Sequence, residues 1–272
     1  MNKVAHAMAL AIASIAAAAL LLASPAASSQ AKPASSGPAD LALIKDLVAA
    51  NRILADHDFL DGYGHVSVRD NRNPDHFLMS RSLAPELVTS DDILEYDLDA
   101  VALNLNGRSQ YGERYIHAAI YKARPDVMAI VHSHAPSVIP FGVSSVKMRP
   151  VYHLAGFLGE GLPIFDIRKS FGMTQMLVNT APRGQALAQE LGKSAAVLMR
   201  GHGIAVTGTS LPIVVGRSIY VDINARVQLQ AISLGGTVTY LHPDEARLVQ
   251  EDGENAGYRR SWEVWRRQVT GE

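Results

Sequence analysis

Glu113-Arg114-Tyr115-Ile116-His117-Ala118-Ala119-Ile120-Tyr121-Lys122-Ala123 is followed by Arg124-Pro125-Asp126-Val127 and then by Met128-Ala129-Ile130-Val131-His132-Ser133-His134. The first run reads as a helix stopped by Pro125 just beyond its end. The last follows an apolar stretch and reads as a buried strand, Met128 to His132. Alternate residues of a strand share a face, so His132 and His134 are expected to point the same way. A third histidine stands in Arg200-Gly201-His202-Gly203, where glycines let the backbone turn tightly and keep the ring accessible. Two histidines alone are readily satisfied by ordinary hydrogen bonds. Adding His202 and Glu113, at the head of the helix, makes a set of donors that suits a divalent metal, and three imidazoles leave one position open for chemistry.

Outward from this segment the chain alternates between helices and strands without internal repeats. Leu41, Ile44, Leu47, Val48, Ile53 and Leu54 fall at helical spacing. His65 to Arg69, Phe77 to Met79 and Leu94 to Asp97 read as short strands. Arg183 to Leu191 reads as a helix, Ala196 to Met199 and Ile204 to Thr207 as a strand pair around His202, and Pro212 to Leu234 as a long helix. Such alternation implies an α/β sandwich. In the tail, residues 242–272, the spacing of Tyr258, Trp262 and Trp265 puts them on one side of a helix, a stripe suited to sealing the domain or a subunit contact.

The composition suits one enzyme domain, here residues 40–241: 272 residues in all, 48% hydrophobic and 19% charged, with a formal net charge of −1. No basic stripe interleaved with aromatics is present, which argues against nucleic acid as a partner. With no cysteine there is neither a disulfide framework nor a thiolate ligand. Histidine and carboxylate ligands then favour zinc, with manganese or ferrous iron as alternatives. Lys3, the apolar run from Met8 to Ala23 and the small residues up to Ala31 read as an export signal, residues 1–31, too short in its apolar core for a membrane anchor. The expected location is periplasmic or extracellular. Residues 32–39 read as a flexible leader.

The blocks around Gly112–Tyr121, Ala123–Asp126 and Ile130–Pro136 resemble the class II aldolase/adducin family. So do Gly64-His65-Val66-Ser67-Val68-Arg69, Leu87-Val88-Thr89-Ser90-Asp91-Asp92-Ile93 and Met199-Arg200-Gly201-His202-Gly203, in the family's order. The resemblance covers most of residues 40–235. It implies a three-layer αβα sandwich with a mixed, largely antiparallel central sheet. It also implies one divalent metal ion per subunit on His132, His134, His202 and Glu113, a second role for Glu113 as acid/base, and a homotetramer with sites between subunits.

Sugar-phosphate aldolases of that family hold phosphate with an Asn in the glycine block, a Thr-Pro-Ser-Gly-like loop and a Ser-Ser pair ahead of the glutamate. Here His65, Ser80-Arg81-Ser82 and Tyr111-Gly112 stand at those places. A non-phosphorylated carboxylate substrate is therefore expected, held by His65, Ser80, Arg81 and Ser82, with Arg81 able to make a bidentate pair. Tyr152 and His153 occupy the neighbourhood of the family's aromatic proton donor, which often comes from a neighbouring subunit. A metal that polarises a bound oxygen stabilises the enolate left when the adjacent carbon–carbon bond breaks. The expected activity is a metal-dependent lyase, with decarboxylation of a hydroxyaromatic or β-keto acid ahead of aldol cleavage. A ferrous-iron oxygenase and a non-catalytic adducin-like module are the other two readings.

Overall fold

Residues 34–256 and 258–271 are described by a computed structural model; the expected export signal, 1–31, lies outside them. Asp40 opens the first helix, α1 (Leu41–Asp56), by accepting the free backbone N–H groups of Ala42 and Leu43. Beyond it run β1 (His65–Arg69), β2 (His76–Ser80), β3 (Ile93–Asp97), α2 (Arg114–Ala123), β4 (Ala129–Ser133), α3 (Ile139–Val143), β5 (Ile164–Phe165) and α4 (Ile167–Phe171). The remainder comprises α5 (Ala181–Leu191), β6 (Ala196–Met199), β7 (Gly203–Gly208), α6 (Leu211–Ser233), α7 (Pro243–Ala256) and α8 (Arg259–Thr270).

Among the described residues the strands form one sheet of seven in the order β3-β2-β1-β4-β7-β6-β5, antiparallel throughout except for the β5–β6 pair. Strand alternation divides the core in two. Val66, Val68, Leu78, Val131, Ile204 and Val206 pack with Leu47, Leu54, Val214 and Val221 from α1 and α6. Phe77, Met79, Leu94, Ile130, Val197 and Ala205 pack with Ile116, Ile120, Leu187 and Leu191 from α2 and α5. The result is the expected three-layer sandwich with a mixed sheet. Each fully buried Leu or Ile contributes about 1.5–3 kcal/mol relative to exposure, which is why the strand period dominates the chain's organisation.

Most element boundaries fall within two residues of the sequence reading. The strand of the metal segment, β4, ends at Ser133, and α2 starts at Arg114 with Glu113 as its flanking residue. The short elements α3, β5 and α4 were not anticipated. β5 has only two residues and exists because Ile164 and Phe165 pair with Leu198 and Met199, a contact no local period encodes. Part of the expected leader is anchored: Ser35 and Ser36 donate to the Glu95 carboxylate, and Arg72 donates to the carbonyls of Gly37 and Pro38. The tail forms two helices. Trp262 is buried and Trp265 packs edge-on to His57, with ring centroids 5.1 Å apart, so its aromatic stripe seals α8 onto α1 and α6. No helix of the described residues is long and apolar enough to cross a membrane.

Candidate metal centre

Strand β4 delivers His132 on the sheet face that α2 covers, and His134 follows just beyond the strand end. β7 must run close beside this point: a Cβ on Gly203 would lie 2.0 Å from the Ser133 carbonyl oxygen, so only glycine fits. Gly201, at φ +64°, supplies the turn that brings His202 back toward the sheet. The three rings meet, with centroids 4.9 Å (His132–His134), 5.0 Å (His132–His202) and 5.0 Å (His134–His202) apart. Glu113 does not cap its own helix; its Oε2 lies 3.4 Å from Nε2 of both His132 and His202.

The protonation pattern of these rings follows from their partners. Nδ1 of His132 faces the Ile204 carbonyl at 3.1 Å, and Nδ1 of His202 faces the Met176 carbonyl at 3.0 Å. Nδ1 of His134 lies 3.1 and 3.2 Å from the two Asp61 oxygens. All three partners are acceptors, so each ring carries its proton on Nδ1 and turns an Nε2 lone pair inward. The consequence is mutual repulsion unless something positive stands between them: His134 Nε2 and His202 Nε2 are 3.1 Å apart, and His132 Nε2 is buried with no hydrogen-bond partner.

A divalent cation among these atoms would resolve the arrangement, and zinc sets the scale. Ligand atoms about 2.0–2.1 Å from zinc at tetrahedral angles lie about 3.3 Å from each other. Three of the six separations, 3.1 to 3.4 Å, are close to that edge length, and all four ligand atoms lie within 4.8 Å of one another. Burial opposes ionisation of Glu113, and a cation shared with the facing Nε2 atoms of His132 and His202 would favour its carboxylate form. Its other oxygen accepts the Val178 N–H at 2.7 Å. The His132 side chain is 0% exposed and that of His134 23%, so the centre opens on the His134 side.

Around the quartet the other expected residues divide. His65 pairs directly across β1–β4 with His132, its ring 5.1 Å away and 4.5 Å from that of Tyr111. Ser80 is buried beside Tyr111. Arg81 gives its Nε–H to Asp92 at 2.6 Å, and Ser82 is exposed, tied through its backbone to Ser109. Tyr152 packs toward Tyr220, with ring centroids 6.1 Å apart, and His153 faces Tyr240, Leu241 and Glu245; neither contacts the quartet of its own chain. Four anchors escaped sequence reading. Asp61 sits in a turn, the Met176 carbonyl and Val178 amide are backbone groups of an irregular loop, and His117 of α2 lies against His65 with ring centroids 4.8 Å apart. Only Asp61, a carboxylate just before the glycine block, carried any legible signal.

Residues 45–229 match the family described as Class II Aldolase and Adducin N-terminal domain. Decarboxylase tropJ of Talaromyces stipitatus is 34% identical over 248 residues, covering 83% of this chain and 93% of the relative. The 3,4-dihydroxyphthalate decarboxylase of Arthrobacter keyseri is 26% identical, covering 79% of this chain and 89% of that one. Among solved structures, the L-fuculose 1-phosphate aldolase from Glaciozyma antarctica PI12 superposes with a TM-score of 0.70 at 24% identity, over 88% of this chain and 93% of that one, and shares the fold.

Proposed function

The chain belongs to the class II aldolase and adducin family, and from that membership we propose that it is a metal-dependent carboxy-lyase acting on a non-phosphorylated hydroxyaromatic or β-keto acid. The observation that carries the reading is the inward convergence of three Nε2 lone pairs and one Glu113 oxygen, each held by an outer acceptor or donor. The names of the decarboxylase relatives favour loss of carbon dioxide over aldol cleavage. Absence of the phosphate cradle points the same way: His65 and Arg81 stand where small hydroxyl and amide groups would be.

A divalent cation on His132, His134 and His202 would polarise a substrate oxygen and draw electrons from the bond that breaks. Glu113 would hold the cation with the three rings and, as a carboxylate beside the substrate, is placed to accept or return a proton. His65 lines the centre beside His132 and holds a substrate oxygen; the terminal amino groups of Arg81 are available for a carboxylate. Tyr152 or His153 of a neighbouring copy supplies the proton donor in the homotetramer we propose, since neither reaches the quartet within one chain.

The test is carbon dioxide release against aldehyde release on a panel of hydroxyaromatic, β-keto and β-hydroxy acids, with and without chelator. Turnover insensitive to chelator refutes the proposal. Oxygen uptake dependent on ferrous iron would replace it with the oxygenase reading, and purified protein lacking stoichiometric metal with the adducin-like one.

A further inference from the structure

Behind the quartet, α2 and β1 interleave four polar side chains in an otherwise apolar layer. His65 and Ser67 are two residues apart on the strand, and His117 and Tyr121 four apart on the helix. Two strand residues advance about 6.6 Å and four helix residues about 6 Å, so the two spacings mesh. The contacts run in sequence: Tyr121 hydroxyl to Ser67 Oγ, 2.8 Å; Ser67 Oγ to His117 Nδ1, 2.6 Å; His117 Nε2 to His65 Nδ1, 2.7 Å. His65 and Tyr121 are each 1% exposed, and Ser67 and His117 0%.

Such a row has two self-consistent polarities. If the Tyr121 hydroxyl donates to Ser67, Ser67 donates to His117 Nδ1, His117 donates from Nε2 to His65 Nδ1, and His65 keeps its own proton on Nε2. In the opposite direction every bond reverses and the phenolic proton must find another acceptor. Among the described residues the Tyr121 hydroxyl has no hydrogen-bond partner but Ser67, so the reversed row strands a buried donor. His65 Nε2 has no protein partner among the described residues either, but it is not one of the fully buried atoms left unpartnered, so a proton there can meet solvent or a ligand, which one on the enclosed Tyr121 hydroxyl cannot; the ring packs against His132 and Tyr111.

We propose that Tyr121, Ser67 and His117 are positioning residues that fix His65 as a neutral ring protonated on Nε2, a dedicated donor at the metal centre. The centre therefore selects a substrate that presents an acceptor oxygen there, carboxylate, carbonyl or phenolate, and His65 is not the general base. This deepens the lyase reading and rests on the quartet being its active centre. It also separates two residues of one type: His132 turns a lone pair toward the centre because its Nδ1 meets a carbonyl, and His65 turns a proton toward it because its Nδ1 meets a donor.

Neutron diffraction from crystals of the perdeuterated zinc-loaded protein reads this directly. Deuterium is expected on His65 Nε2 and His117 Nε2, with the Ser67 deuteron toward His117; deuterium on His65 Nδ1 overturns the proposal. In solution, with salicylate as the probe, His65→Gln keeps a donor and is expected to bind within about threefold of the natural chain, whereas His65→Leu weakens binding at least about tenfold. Equal affinity of the His65→Leu variant overturns the donor role. Failure of the protein to retain zinc, manganese or ferrous iron refutes the lyase reading instead, and the deuterons on the relay still decide the polarity.

Discussion

Asp61→Asn is the substitution that separates a metal centre from a cluster of buried histidines. Asp61 accepts the N–H groups of Tyr63 and Gly64 on Oδ1, at 3.0 and 2.9 Å, while Oδ2 lies 3.1 Å from Nδ1 of His134. Asparagine preserves the turn by keeping Oδ1 but places an amide donor opposite Nδ1–H. His134 must then share Oδ1 or shift its proton to Nε2, where it blocks ligation. Loss of such an outer partner costs about 10–100-fold in metal affinity. The Asp61 side chain is 48% exposed, which screens its charge and places the effect near the lower end, about 10–30-fold or about 1.4–2 kcal/mol. Competition for zinc against a chromophoric chelator measures it. An affinity within twofold of the natural chain would refute the carboxylate–histidine–metal arrangement, and an unchanged melting temperature of the metal-free variant confirms that the turn survives.

Other substitutions probe the remaining parts. His134→Ala should lose metal and turnover together, whereas Glu113→Gln keeps most of the metal and loses turnover; metal analysis beside carbon dioxide assays distinguishes them, and equal rates in both would sink the assigned roles. Burial, reinforced by the neighbouring His132, pushes the His117 pKa down to about 3 from its ordinary 6.5. The unfolded chain therefore binds one more proton than the folded chain between those values, and stability falls by about 1.4 kcal/mol per pH unit as pH drops through that window. Denaturant melts from pH 7 to pH 4 test this, and a flat profile contradicts it. Gly203→Ala puts a Cβ 2.0 Å from the Ser133 oxygen, so β7 must shift; a stability loss of about 1–3 kcal/mol and weaker zinc binding are expected, and a melting temperature equal to the natural chain's would count against the close approach. Residues 1–31 are proposed to direct export, so expression in a bacterium should yield periplasmic protein whose N-terminal sequence begins near Lys32; an intact Met1 start would reject this.

Residue order alone was enough to reveal alternating elements, since a two-residue period in Val66 and Val68 or Ile204 and Val206 has a single way to bury its apolar side. It also picked out the four side chains that the fold brings together as a candidate metal centre, because imidazole and carboxylate side chains beside glycine turns are chemically conspicuous wherever they fall. Burial and pairing over long sequence separations decided the rest. β5 acquires its strand character from β6, and the tail helix is sealed by His57 and Tyr220, partners remote in the chain. Above all, the proton on each histidine is a tertiary property: identical rings are set to offer a lone pair or a proton according to whether Nδ1 meets the Ile204 carbonyl, the Asp61 carboxylate or the imidazole of His117. A histidine carries no local mark of its tautomer, because that choice is made by the single atom packed against it.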